Sequence, residues 1–123
     1  MPNAASYFEI PVTNMQRAIA FYSYVFEVNF EEDIFDDLEM AYFPIDETAQ
    51  GISGALVKGE IYKPTQEGVL IYLTTSNIDR TLTRTLERNA ITLFPIHRHE
   101  NAGFAVAEFE DSEGNRIGLY QKL

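Results

Sequence analysis

The chain has 123 residues, 46% of them hydrophobic and 13% aromatic, with no cysteine, no tryptophan and a formal net charge of -10. That length holds one domain or two very small halves, and folding it buries about two-thirds of the surface, enough for a core. Without cysteine there is no disulfide, thiolate nucleophile or cysteine-based metal site, so any metal must rest on His, Asp or Glu. The 19 acidic residues against 9 basic ones repel a phosphate backbone or an anionic membrane surface, so neither a nucleic-acid nor a membrane partner is expected.

The opening MPNAASYFEI lacks the basic start and apolar stretch of a secretion signal, and no apolar run approaches the ~18 residues of a membrane span. A cytoplasmic setting is the expectation. Residues 7–12, YFEIPV, read as a strand, and Met15, Ala18, Ile19, Tyr22, Val25 and Phe26 then recur at helical spacing. Thr13 with Gln16 fits a capping box at the start of that helix. Three strands follow, at about 28–35, 39–44 and 52–58. Across them no Lys or Arg occurs between Arg17 and Lys58, while Glu27, Glu31, Glu32, Asp33, Asp36, Asp37, Glu39, Asp46 and Glu47 crowd together. The alternating acids of a calcium loop are missing, so this reads as a solvated strand face.

After a linker from Gly59 to Gly68 the same grammar returns: a strand at 69–75, Ser76 with Asp79, and a stripe of Ile78, Leu82 and Leu86. Strands at 91–98, 103–110 and 115–121 complete the second half, the last two joined by a turn at Ser112 to Asn115. Thr13, Gln16, Arg17 and Ile19 fall on Ser76, Asp79, Arg80 and Leu82 at one spacing of 63 residues. Each half is therefore βαβββ, and halves of about 60 residues need a shared core or paired sheets. Strand alternation turns Phe8, Ile10, Val12, Val69, Ile71, Leu73, Ile117 and Leu119 toward the helices. Tyr7, Glu9, Pro11, Leu70, Tyr72, Thr74, Arg116, Gly118 and Tyr120 are left for the opposite, half-polar face.

FEIPVTNMQRAIAFYSYVF and FAVAEFEDSEGNRIGLYQ resemble the vicinal oxygen chelate superfamily, the group of glyoxalase I, bleomycin resistance proteins and extradiol dioxygenases. The resemblance covers nearly the whole chain and is nearest to uncharacterised glyoxalase-like proteins that begin FEIPV. It implies an α+β fold in which two βαβββ modules, residues 1–60 and 67–123 of a single domain, form a cup-shaped, eight-stranded mixed sheet with helices on its outer face. It also implies a divalent metal or small ligand in the cup, and a homodimer. The family's four metal-ligand positions fall on Tyr7, approximately Gly54, Leu70 and Gly118, none of which is an ordinary metal ligand.

Three readings follow. In the first, no metal cofactor is expected and a small molecule binds among Tyr7, Glu9, Leu70, Tyr72, Gly118 and Tyr120, because tyrosines combine apolar area with a hydroxyl handle. In the second, a lyase- or dioxygenase-type enzyme uses a divalent metal relocated to Glu9, His97 and His99, or Glu9 as a catalytic general base. A pairing of Glu9 with Arg116 competes with that role. In the third, the cup is filled by its own side chains and the chain is a structural dimerisation domain. Arg80, Arg84 and Arg88 form a basic stripe on the second helix, either a surface face or a dock for acids of a partner subunit. GISG at Gly51 to Gly54 is not a nucleophile elbow, and no phosphate-binding loop is present.

Overall fold

The computed structural model describes residues 2–123. The first half runs β1 (Phe8–Pro11), α1 (Met15–Phe26), β2 (Glu31–Phe35), β3 (Leu38–Tyr42) and β4 (Gly54–Lys58). The second runs β5 (Ile71–Thr74), α2 (Ile78–Glu87), β6 (Ile91–His99), β7 (Phe104–Glu110) and β8 (Arg116–Lys122). The strands form two four-stranded mixed sheets, ordered β1-β4-β3-β2 and β5-β8-β7-β6. In each, the first and last strands of the module pair in parallel and the other pairings are antiparallel. The two βαβββ modules are thus built alike.

The spacing of 63 residues carries β1 onto β5 and the start of α1 onto the start of α2. It also carries one cap onto the other, although the caps are not the residues expected. Asn14 Oδ1 accepts from Arg17 N and Asn77 Oδ1 from Arg80 N, each at 3.0 Å. Thr13 and Ser76 stand one place too early: the amide side chain next to the first helical residue satisfies the free N–H, leaving the hydroxyl residue outside.

Each helix packs its apolar stripe on its own sheet, and α1 also packs on α2. The helix-facing sides of both sheets therefore close on one core, in which Ile10, Val12, Tyr22 and Leu56 join Leu73, Ile78, Phe109 and Leu119. Val69 does not share in it. It lies ahead of β5 and is 92% exposed, because the ladder with β8 begins only at Ile71 paired with Ile117. The acidic segment is a β2–β3 hairpin whose five β2 residues are all exposed. Asp36 and Asp37 make its turn at φ 50° and 63°, left-handed values suited to a two-residue hairpin loop. The arginine stripe on α2 is used within the chain: Arg80 pairs with Glu27, and Arg84 donates to the Tyr24 carbonyl near the end of α1.

Candidate functional site

The sheet faces turned away from the helices are open, and register decides what they carry, because directly paired residues point to the same side. On the first sheet one row is Glu9, Ala55, Tyr42 and Glu31, and the next is Pro11, Val57, Met40 and Asp33. On the second sheet the rows are Tyr72, Gly118, Glu108 and Phe94, then Thr74, Tyr120, Val106 and His97.

Within one chain the candidate residues divide between these faces. Tyr7 and Glu9 lie on the first; Tyr72, Gly118 and Tyr120 lie on the second, with His97 and His99 on β6 at its edge. Leu70 is half-buried just ahead of β5. Glu9 is held from two directions, accepting the Tyr7 hydroxyl on Oε2 and the Tyr62 hydroxyl on Oε1, both at 3.0 Å. Burial, together with the bond to Glu9, raises the Tyr7 pKa above the ordinary phenol range; at Tyr62 the bond to Glu9 is the main cause of a rise. Both phenols therefore stay protonated and donate. Arg116 does not pair with Glu9. Its partner is the buried Glu108, two residues along the same face of the second sheet.

On the second face the Tyr72 ring covers Gly118, with Tyr72 Cδ1 2.5 Å from where a Cβ on Gly118 would stand. Tyr120 stacks on Phe104 at 5.7 Å between centroids, and His97 stacks on Phe94 at 4.4 Å. His97 and His99 share one side of their strand, as alternation requires, and both are exposed.

The expected metal positions can be placed by register. Gly54 pairs with Phe8 and faces the helices, whereas Ala55 pairs with Glu9 on the open face and lies 63 residues before Gly118. By register, the position that the resemblance assigns approximately to Gly54 falls on Ala55. Tyr7, Ala55, Leu70 and Gly118 do not fit a divalent metal, since they offer one protonated phenol and no imidazole or carboxylate. The space a ligand at 118 would fill is taken by the Tyr72 ring. Among the described residues no three His, Asp or Glu side chains gather as a metal-binding group.

Three contributors lie outside the expected site. Tyr62 belongs to the linker, which carries no strand or helix period. Tyr42 and Tyr62 each pack on a small second cluster of Met40, Ala55 and Val57. Glu108 could have been found, because alternation along FAVAEFE sends it to the face that holds Gly118.

The family model described as Glyoxalase/Bleomycin resistance protein/Dioxygenase superfamily matches residues 4–119. Among solved structures, a glyoxylase/bleomycin resistance protein/dioxygenase domain from Frankia sp. EAN1pec superposes at TM-score 0.74 with 11% identity, covering 100% of both chains. A glyoxalase/bleomycin resistance protein from Streptomyces sp. CB03234 gives TM-score 0.72 and 22% identity, covering 96% of this chain and 100% of that one. TnmS3, an antibiotic binding protein from the same organism, gives 0.67 and 21%, covering 100% of this chain and 99% of that one. At these identities the likeness establishes the fold alone. No curated protein matches the chain significantly.

Proposed function

The chain belongs to the glyoxalase/bleomycin resistance protein/dioxygenase superfamily, and from that premise we propose that it binds a small organic molecule on its open sheet faces without the superfamily's metal. One observation carries the reading: the positions that the resemblance assigns to metal ligands hold Tyr7, Ala55, Leu70 and Gly118, while their surroundings are rich in tyrosine. Small residues and aromatic rings at these positions give no means to polarise a substrate oxygen but offer an apolar body ring contacts and hydroxyl groups. A structural neighbour that binds an antibiotic is consistent with this use of the fold.

We also propose a homodimer, in which the two faces meet. The first carries Glu9, Glu31 and Asp33 with no cation from its strands, whereas on the second Arg116 and Lys122 stand with Glu108 and Glu110, so the charges there balance. Both leave aromatic rings in solvent, Tyr7 at 48% and Tyr72 at 46% exposed. A second copy that lays its second face over the first would join Tyr7 and Glu9 to Tyr72, Gly118 and Tyr120 around one cup.

The test is native mass spectrometry and elemental analysis of protein purified without added metal. The expected result is a homodimer with metal well below one ion per chain, to which added Zn²⁺, Mn²⁺ or Ni²⁺ does not bind tightly. Stoichiometric metal that disappears on His97→Ala would overturn the reading in favour of a relocated centre at Glu9, His97 and His99.

A further inference from the structure

Glu9 is unusual for a half-buried carboxylate in a chain with nine basic residues. Among the described residues no Lys, Arg or His forms an ion pair with it: the arginines and lysines that do pair are joined to Glu113, Glu39, Glu27, Asp79 and Glu108. Its two oxygens each take one phenol hydrogen bond, which fixes the rotamer while leaving lone pairs free, since an ionised carboxylate has about four acceptor sites. Beside it stand the rings of Tyr7 and Tyr62, and Tyr62, like Tyr42 two strands away in the same row as Glu9, packs on the small cluster that floors the face. Tyr7, whose hydroxyl bonds Glu9, also lines a cavity of about 540 Å³ together with Phe30, Glu31, Tyr42 and Phe43.

Arg116 shares a small groove with Glu9 but is held by Glu108, so this oriented, half-buried negative charge beside aromatic rings has no ion-pair partner among the described residues. Resting on the ligand-binding reading above, we propose that the ligand carries an organic ammonium group seated on the Glu9 carboxylate between Tyr7 and Tyr62, with its apolar body reaching past Tyr7 into the cavity walled by Tyr42. Glu9 supplies the charge contact, the tyrosine rings add cation–π attraction, and Glu31 at the cavity wall favours the same sign. The cavity volume suits a small amine with one aromatic or alicyclic body.

The probes are phenethylamine and 2-phenylethanol, which share a body and differ in the ammonium group. Each is titrated into the full chain while tyrosine ring resonances are followed by NMR. The amine should bind about ten-fold tighter than the alcohol, a preference lost in Glu9→Gln. Raising salt from about 0.05 to about 0.5 M should weaken the amine alone. Tyr62→Phe, which keeps the ring and removes one anchor of the carboxylate, should lower amine affinity several-fold and leave the alcohol unchanged; this arm stands if Glu9→Gln fails to fold. Equal binding of both probes would overturn the ammonium assignment and leave ligand binding intact, whereas silence from both at about 10 mM would sink both readings. If Glu9→Gln weakens self-association and no amine preference exists, Glu9 serves a partner's cation and the proposal falls.

Discussion

Gly54 and Gly118 both lack a side chain in a parallel-paired strand, yet for different physical reasons. A Cβ on Gly54 would stand 2.0 Å from the Phe8 carbonyl oxygen, a backbone atom fixed by the β1–β4 ladder. A Cβ on Gly118 would meet only the ring of Tyr72, which is half in solvent and free to swing away. Gly54→Ala should therefore cost about 3 kcal/mol, at the top of the range for overpacking, and Gly118→Ala under about 1 kcal/mol with the Tyr72 ring displaced. Urea melts of the two variants and the Tyr72 ring resonances check both; equal losses would show that the Gly118 face is as rigid as the ladder. Much of the site was readable at this scale, because alternation alone assigns Glu9, Tyr72, Gly118 and Tyr120 to open faces. It could not reveal Tyr62, whose bond to Glu9 spans 53 residues and leaves no periodic trace. Nor could it reveal that these residues lie on two sheets, since parity fixes a side and not the placement of one module on the other.

At the scale of elements, the repeat was legible because each helix must start and bury its stripe in the same way. The slip of one residue at both caps has a simple origin. Thr13-Asn14 and Ser76-Asn77 each present two good capping residues in succession, and sequence spacing alone favoured the earlier one. Geometry selects the later: Asn14 and Asn77 have extended φ of -132° and -149°, and their side chains reach the N–H three places on. Asn77→Ala should then cost about 1 kcal/mol, whereas Ser76→Ala should stay within about 0.5 kcal/mol. Thermal melts of the pair measure the difference, and a larger loss at Ser76 would return the cap to the hydroxyl. Strand ends were harder to place than strands. Val69 and Leu70 have strand-like chemistry, but the parallel ladder begins only at Ile71 and Ile117, and the Arg116 N–H ahead of it goes to the Thr65 carbonyl.

The whole molecule depends on how the second module grips the first. Besides the shared core, the turn between β7 and β8 reaches over the start of α1. Glu113 Oε1 accepts from Thr13 N at 2.9 Å and Asn14 N at 2.8 Å, and Arg17 Nε donates to Oε2 at 2.7 Å. Asn115 donates to the Pro11 carbonyl at 2.7 Å, and the buried Tyr22 hydroxyl donates to Asp111. Burial works against an ionised Glu113, but Arg17 and the two backbone N–H groups outweigh it and hold the carboxyl at about 2, below its ordinary 4.5. Because the native value is the lower one, the unfolded chain takes up this proton first as the solution is acidified. The contribution is complete above pH 4.5 and drains away as pH falls toward 2. Asp111 acts in the opposite sense, since burial raises its pKa and the native state welcomes its proton. Urea unfolding across this window should show wild type losing stability toward pH 2, while Glu113→Gln starts about 1 kcal/mol lower at neutral pH and falls less steeply. Parallel curves for the two proteins would mean that the clasp does not titrate and that the core alone holds the modules together.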